Sequence, residues 1–215
     1  TAPIVNATTL VYNWCAKELL PTPLKSHYTF NLRDLAKVVQ GLLQAKPKMI
    51  TEPEAMVRLW CHETQRVFCD RLVDAKDKGM FLTQLSEVAA AEFKTEVSGE
   101  ELGLFLFGDY ECQDPTEKPN AYKEVVDLDN LQKLLAEYQE DYVINTNKPM
   151  DLVFFRDAVA HLSRTCRVLR QPRGCAMLVG VGGSGRSSVA KLATHMSKNA
   201  EGDDYTLFGI EVGRG

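Results

Sequence analysis

No stretch of this chain reaches the roughly 18–20 consecutive apolar residues of a membrane-crossing helix. Its first residues also lack the basic-then-apolar pattern of an export signal. No membrane partner is therefore expected. Zinc-type spacing is missing as well. The six cysteines, Cys15, Cys61, Cys69, Cys112, Cys166 and Cys175, form no C-x-x-C pair. Several fall on apolar faces of apparent helices, so buried, reduced thiols in the cytosol are expected. Cys61 and His62 adjoin but face different ways on a helix, which argues against a metal site there. Positive charge is not in excess. With 25 Lys and Arg against 29 Asp and Glu, the net charge of -4 argues against nucleic acid as the main partner. Neither low-complexity tracts nor internal repeats occur. The pairs Glu100–Glu101 and Asp203–Asp204, with nothing nearby that visibly desolvates them, read as solvated loop acids, not as a general acid–base dyad. What remains is an ordinary globular composition, 45% hydrophobic and 25% charged, in a chain of 215 residues that suits one or two domains.

The first half reads as helical. Leu10, Val11, Trp14 and Leu19 recur at helical spacing between Ile4 and Leu20, ahead of Pro21-Thr22-Pro23. Asn31 is placed to N-cap a helix through Leu32, Leu35, Val38, Val39, Leu42 and Leu43, with Asp34 completing a near capping box and Pro47 stopping it. Thr51 and Pro53 open a third helix bearing Ala55, Met56, Leu59, Trp60, Val67 and Phe68, and Met80 to Phe93 reads as a fourth. Trp14 and Trp60 are the expected core anchors. Leu102 to Phe107 is strand-like, and Asp114 to Asn120 is a turn-rich connector. Helices resume over Leu128–Tyr142 and Phe155–Arg170, ending at Gln171-Pro172-Arg173-Gly174.

The most telling feature follows. Cys175-Ala176-Met177-Leu178-Val179 reads as a short buried strand, Gly180-Val181-Gly182-Gly183-Ser184-Gly185-Arg186-Ser187 as a glycine loop, and Ser188 to Met196 as a helix. Strand, loop and helix are the setting of a P-loop, and the spacing fits G-x-x-x-x-G-K-[ST] except that Arg186 replaces the lysine. In such a loop, backbone N–H groups and the helix dipole form an anion nest, and the position of Ser187 supplies a hydroxyl to Mg²⁺. Arginine keeps the charge but carries it on a longer, planar fork. Phosphate binding is expected to survive, while alignment of the γ-phosphoryl group suffers and hydrolysis is slow or absent. The bland alternative is a glycine-rich turn that binds nothing. A P-loop ATPase also needs a later acidic strand and more parallel strands. Only 28 residues follow Ser187, among them the strand-like Tyr205–Ile210, so a segment of a longer protein is expected.

A helical part ahead of a new P-loop suggests the end of one AAA+ module joined to the start of the next. Leu20-Pro21-Thr22-Pro23-Leu24-Lys25-Ser26-His27-Tyr28-Thr29-Phe30-Asn31-Leu32-Arg33-Asp34-Leu35, then Val39-Gln40-Gly41, resembles the lid of the third AAA module of dynein heavy chains. Leu152 to Ala158, Arg170 to Gly174 and Leu178 to Arg186 resemble the start of the fourth, with the arginine-ended loop most similar to axonemal dyneins.

The resemblance implies a helical AAA+ lid over residues 1–110, a connector and helix over 111–150, and the incomplete α/β start of the next module over 151–215. It implies that Gly180, Gly182, Gly183, Ser184, Gly185, Arg186, Ser187 and Ser188 hold the phosphates of ATP or ADP, with Mg²⁺ at Ser187. It also implies that Leu152, Val153 and Phe154 pack on adenine, an ordinary helix-start core being the other reading. Arg33 matches the lid arginine that reaches the γ-phosphate side of a nucleotide, the other reading being a solvated arginine paired with a nearby acid. His27 and Tyr28 belong to the same pattern but read as packing and turn residues.

The function implied is part of an axonemal dynein motor ring in the ciliary or flagellar cytoskeleton. Its partners would be the remaining ring modules, microtubules through distant parts, and intermediate and light chains through the tail. The competing readings are a non-hydrolytic nucleotide-holding scaffold and, more weakly, a small stand-alone P-loop NTPase.

Overall fold

A computed structural model describes residues 2–110, 121–198 and 204–210. Connector residues 111–120, including Cys112, and Asp203 of the second acidic pair lie outside them. The chain divides into two compact units, one holding residues 1–107 with 122–124, the other 108–121 with 125–215.

The first unit is built on four helices, α1 (Ala2–Glu18), α2 (Leu32–Leu42), α3 (Pro53–Phe68) and α4 (Ala75–Phe93), followed by the single turn α5 (Gly99–Leu102). The Asn31 side chain accepts from the N–H of Arg33 while Asp34 accepts from the N–H of Asn31, so the expected capping box starts α2. α3 is the central element. Leu59, Trp60, Cys61, His62, Glu63, Thr64 and Gln65 are all buried, as a helix enclosed on every side must be. Trp60 is the core anchor, its indole N–H donating to Thr8 of α1 at 2.9 Å. Trp14 is only partly buried against the same core.

Two polar features tie the later strand to this core. Tyr122 donates to the fully buried carboxylate of Glu63 at 2.8 Å, and Arg58 forks onto Glu124 at 2.9 and 3.0 Å. Glu63 has room because Gly41 faces it: a Cβ at that position would lie 1.8 Å from the carboxylate oxygen.

Several expectations need correction. Leu102–Phe107 is not a strand. Ser98 and Glu101 form a capping box that winds Gly99–Leu102 into α5, and only β1 (Phe107–Gly108), paired with β2 (Lys123–Glu124), is extended in a ladder. Glu101 is thereby a cap, not a free loop acid. The fourth helix begins at Ala75, a turn before Met80, because Asp77 faces inward to accept from Lys25 and Tyr28.

The second unit packs α7 (Arg156–Arg170) and α6 (Leu128–Thr146) with α8 (Arg186–Met196). Leu131, Leu135, Val159, Leu162, Cys166, Leu192 and Ala193 are among its buried residues, and Tyr142 meets His195 edge-on at 5.5 Å. Residues 175–179 are extended but have no ladder partner among the described residues, and Met177 and Val179 are exposed. The expected buried strand is therefore an open one. Burial on both faces takes neighbouring strands and covering helices, and neither flanks it here. Tyr205–Ile210 is likewise extended without a ladder. Asp204 bridges to Lys198, and Tyr205 donates to the carbonyl of Leu169 at 2.6 Å.

Cys15, Cys61, Cys69 and Cys166 are buried and reduced, whereas Cys175 is exposed. Burial pushes the thiols of Cys15, Cys61 and Cys166 up to about 12. Against an ordinary thiol near 8.5, that leaves roughly a thousand-fold less thiolate at neutral pH. In a Cys112→Ser background, Cys175 is expected to take up iodoacetamide at least a hundred-fold faster than Cys15, Cys61 or Cys166. Mass spectrometry of the labelled sites checks this, and a rate at Cys15, Cys61 or Cys166 comparable to that at Cys175 would refute it.

Candidate functional site

The glycine loop is shaped by two left-handed residues, Gly183 at φ +79° and Gly185 at φ +77°. Side chains with a Cβ rarely adopt that conformation, so the glycines are required by geometry. Gly185 is the N-cap of α8 and its carbonyl accepts from Val189 at 2.9 Å, while the N–H of Ser184 closes a turn onto Val181 at 3.3 Å. The early N–H groups of α8 have no intrahelical partners and point with the dipole toward the loop. No atom lies within 4 Å of where a Cβ on Gly182 or Gly183 would sit, so the loop's outer face is open. Ser187 is exposed, and Ser188 is half-buried.

Arg186, the first residue of α8, folds back over the loop. Its guanidinium donates to the carbonyl of Val181 at 3.2 Å, and its stem lies within 3.5 Å of where a Cβ on Gly180 would be. The guanidinium therefore braces the loop from inside. A lysine ammonium has no planar fork with which to make the same bond while its stem lies along the loop.

Leu152, Val153 and Phe154 lie outside any helix or ladder, with Leu152 and Phe154 half-buried and Val153 exposed. The Leu152 side chain approaches Gly185, 3.8 Å from where its Cβ would be. Two glutamines of α6 fix this segment. Gln139 accepts from the N–H of Leu152 at 3.0 Å, and Gln132 donates to the carbonyl of Phe154. Of residues 152–154, Leu152 is the one that approaches the loop. Gln132 and Gln139 escaped sequence reasoning because they act on distant backbone groups that no spacing rule connects to them.

Arg33 belongs to the other unit. Its side chain is exposed on the first turn of α2 and has no ionic or hydrogen-bond partner among the described residues, so the paired-arginine reading finds no acid there. A cation at a helix N-terminus opposes the dipole, so this placement is not favoured by the helix itself.

What surrounds Arg33 is firmly held. Asp34 is 2% exposed. Burial pushes its carboxyl upward, but the Arg71 guanidinium, the N–H of Asn31 and nearby Lys37 outweigh this and hold it below the ordinary carboxylate range. Arg71 bonds Asp34 at 2.9 and 3.3 Å, donates to the carbonyl of Thr29 at 3.0 Å, and lies 5.2 Å over the ring of Phe30. His27 donates to the Arg71 carbonyl at 3.0 Å. Tyr28 donates to Asp77 at 2.8 Å and accepts from the N–H of Val73 at 3.1 Å, while Lys25 pairs with Asp74 and Asp77. His27 and Tyr28 are packing and turn residues, as expected.

The described residues hold no group of three or more His, Cys, Asp or Glu side chains arranged for a metal, and no helix is long and apolar enough to cross a membrane.

Comparison with known proteins follows the two units. Residues 4–99 match the AAA+ lid domain, and residues 150–213 match the P-loop containing dynein motor region D4. Dynein axonemal heavy chain 6 of Homo sapiens is 42% identical over 99% of this chain, and dynein axonemal heavy chain 1 of Mus musculus is 44% identical over all of it. The dynein-1-beta heavy chain of the flagellar inner arm I1 complex of Chlamydomonas reinhardtii is 43% identical over 98%. The chain spans about 5% of the length of each of these relatives. From its helical lid to its phosphate loop, the chain belongs to the axonemal dynein heavy chain family.

Proposed function

We propose that this chain is a piece of the ATPase ring of an axonemal dynein motor, running from the lid of the third AAA+ module into the P-loop of the fourth. Residues 180–188 bind the phosphates of ATP or ADP through the loop N–H groups, with Ser187 as the ligand for Mg²⁺. Leu152, Val153 and Phe154 form the adenine wall. Arg33 reaches the γ-phosphate of the nucleotide in the preceding module. Bound nucleotide supplies the phosphoanhydride whose hydrolysis state the ring reads, and this chain's own residues bind, orient and report it. Through the ring, this relay serves minus-end-directed movement on microtubules in the axoneme of cilia or flagella. Microtubules are met through distant parts of the parent protein, and intermediate and light chains through its tail.

The observation that carries the nucleotide reading is the loop itself: two glycines at positive φ, an open outer face and a helix N-terminus behind it. The test is nucleotide binding by a fluorescent ADP analogue with Mg²⁺. Gly183→Val puts a branched side chain at φ +79° on the open face and is expected to weaken binding by at least about thirty-fold, from αL strain added to loss of the nest. An unchanged dissociation constant would sink the phosphate-loop reading.

The bond from Arg186 to Val181 also favours a second reading for this site, a module that holds nucleotide without hydrolysing it. Ligand would then stabilise the fold by mass action.

A further inference from the structure

Arg33 carries a free guanidinium on the first turn of α2, at a place the helix dipole does not favour. Arg71 meets four residues at or just before that turn: His27, Thr29, Phe30 and Asp34. It forks onto Asp34, takes the carbonyl of Thr29, covers the ring of Phe30 and offers its own carbonyl to His27. Asp34 is simultaneously the N3 residue of the capping box whose Asn31 side chain accepts from the N–H of Arg33 itself. A chain of direct contacts therefore runs from Arg71 through Asp34 and Asn31 to the Arg33 backbone.

We propose that Arg71 is the positioning residue for Arg33, setting the orientation from which the lid arginine distinguishes a nucleoside triphosphate from a diphosphate. The proposal rests on the reading of Arg33 as the γ-phosphate contact. The planar fork of Arg71 spans both carboxylate oxygens of Asp34 while also holding the Thr29 carbonyl, so a lysine at this position can make only part of the set.

A second lock in the same unit makes a natural control. Lys25 bonds Asp77, and Tyr28 anchors to Asp77 and Val73, with no contact to Asp34 or Asn31. Breaking it loosens the same loop without touching the line to Arg33.

The experiment uses the full-length heavy chain carrying this segment, with every phosphate loop inactivated except that of the preceding module, whose nucleotide Arg33 is read as contacting. It reads the ratio of affinities for a fluorescent non-hydrolysable ATP analogue and for the matching ADP analogue. Arg33→Ala is expected to lower that ratio about ten-fold or more, as loss of one charge-assisted contact would. Arg71→Ala is expected to lower it roughly three- to ten-fold, and Arg71→Lys by an intermediate amount. Lys25→Met is expected to leave it within about two-fold, whatever it does to the melting temperature.

The double variant Arg33→Ala/Arg71→Ala should match Arg33→Ala alone, because a positioning residue has nothing left to position. If Arg33→Ala leaves the ratio unchanged, the γ-phosphate reading of Arg33 fails and takes the proposal with it. If Arg33→Ala lowers the ratio but Arg71→Lys and Arg71→Ala do not, or if the two effects multiply in the double variant, the positioning role alone is overturned. Equal losses from Lys25→Met and Arg71→Ala would also overturn it, by showing general loosening of the lid.

Discussion

Gly41→Ala is expected to lower the melting temperature of the helical lid unit by roughly 10–20 °C, although alanine is the better helix former. The opposing terms can be sized. Alanine in a helix interior gains up to about 1 kcal/mol over glycine. Against that, the new methyl would sit 1.8 Å from a carboxylate oxygen of Glu63 and 2.5 Å from its carboxyl carbon. A glutamate tip on a surface would simply swing away. This one is fully buried and holds the Tyr122 hydroxyl at 2.8 Å, so moving it strains the packing and breaks a charge-assisted bond. Overpacking and a displaced buried carboxylate together cost about 3–4 kcal/mol, which leaves a net loss of about 2–3 kcal/mol. For a domain of this size each kcal/mol is worth roughly 4–8 °C. Thermal unfolding followed by circular dichroism measures the shift. Gly41→Ala/Glu63→Ala, which empties the contested space, should recover part of it. A single variant melting within about 2 °C of the parent would show that the carboxylate has somewhere else to go.

Arg186→Lys is expected to raise nucleotide turnover at the phosphate loop by ten-fold or more while changing affinity by less than about three-fold. The arginine as observed spends a guanidinium donor on Val181, so its charge is committed to the loop and not to a phosphoryl group in transit. Lysine restores a compact ammonium on a flexible stem, free to follow charge as it builds on the γ-phosphoryl oxygens. A contact made mainly in the transition state changes rate; one made equally in the ground state changes affinity. A charge-assisted contact of about 1.5–3 kcal/mol corresponds to roughly ten- to hundred-fold in rate. Single-turnover hydrolysis in the full-length chain, with the other sites inactivated, is the measurement. Equal turnover in the two forms would mean that the arginine already performs the lysine's task, or that some other missing group limits the site.

Most of the lid was legible because its signals are local. Asn31 with Asp34 announced the start of α2, Pro53 opened α3, and the proline and glycine after Arg170 closed α7. The failures share one cause. Leu102–Phe107 carries the apolar density of a strand, yet Ser98 and Glu101 form a capping box that was present in the sequence and outranks composition over so short a stretch. Residues 175–179 and 205–210 have strand composition, but a strand is made by its neighbours, and none pairs with them among the described residues. The phosphate loop could be read from its glycines, since positive φ leaves few alternatives. The tethers from Gln132 and Gln139, and the grip of Arg71 on residues 27–34, join positions far apart in the chain. No periodicity encodes them.

The position of Tyr122 in the chain has a consequence for biosynthesis. The helices of the lid emerge from the ribosome in order, and Glu63 is enclosed by α2 and α3 early. Its hydroxyl donor lies 59 residues downstream. At about 5–20 residues per second, several seconds separate the two. During that interval the nascent lid carries a desolvated carboxylate lacking that bond, and its interior becomes complete only when the polypeptide beyond the connector returns to it. Co-translational folding of this lid therefore finishes with residues that follow its last helix, and nascent chains that stop short of Glu124 are expected to resist protease less strongly than the finished unit.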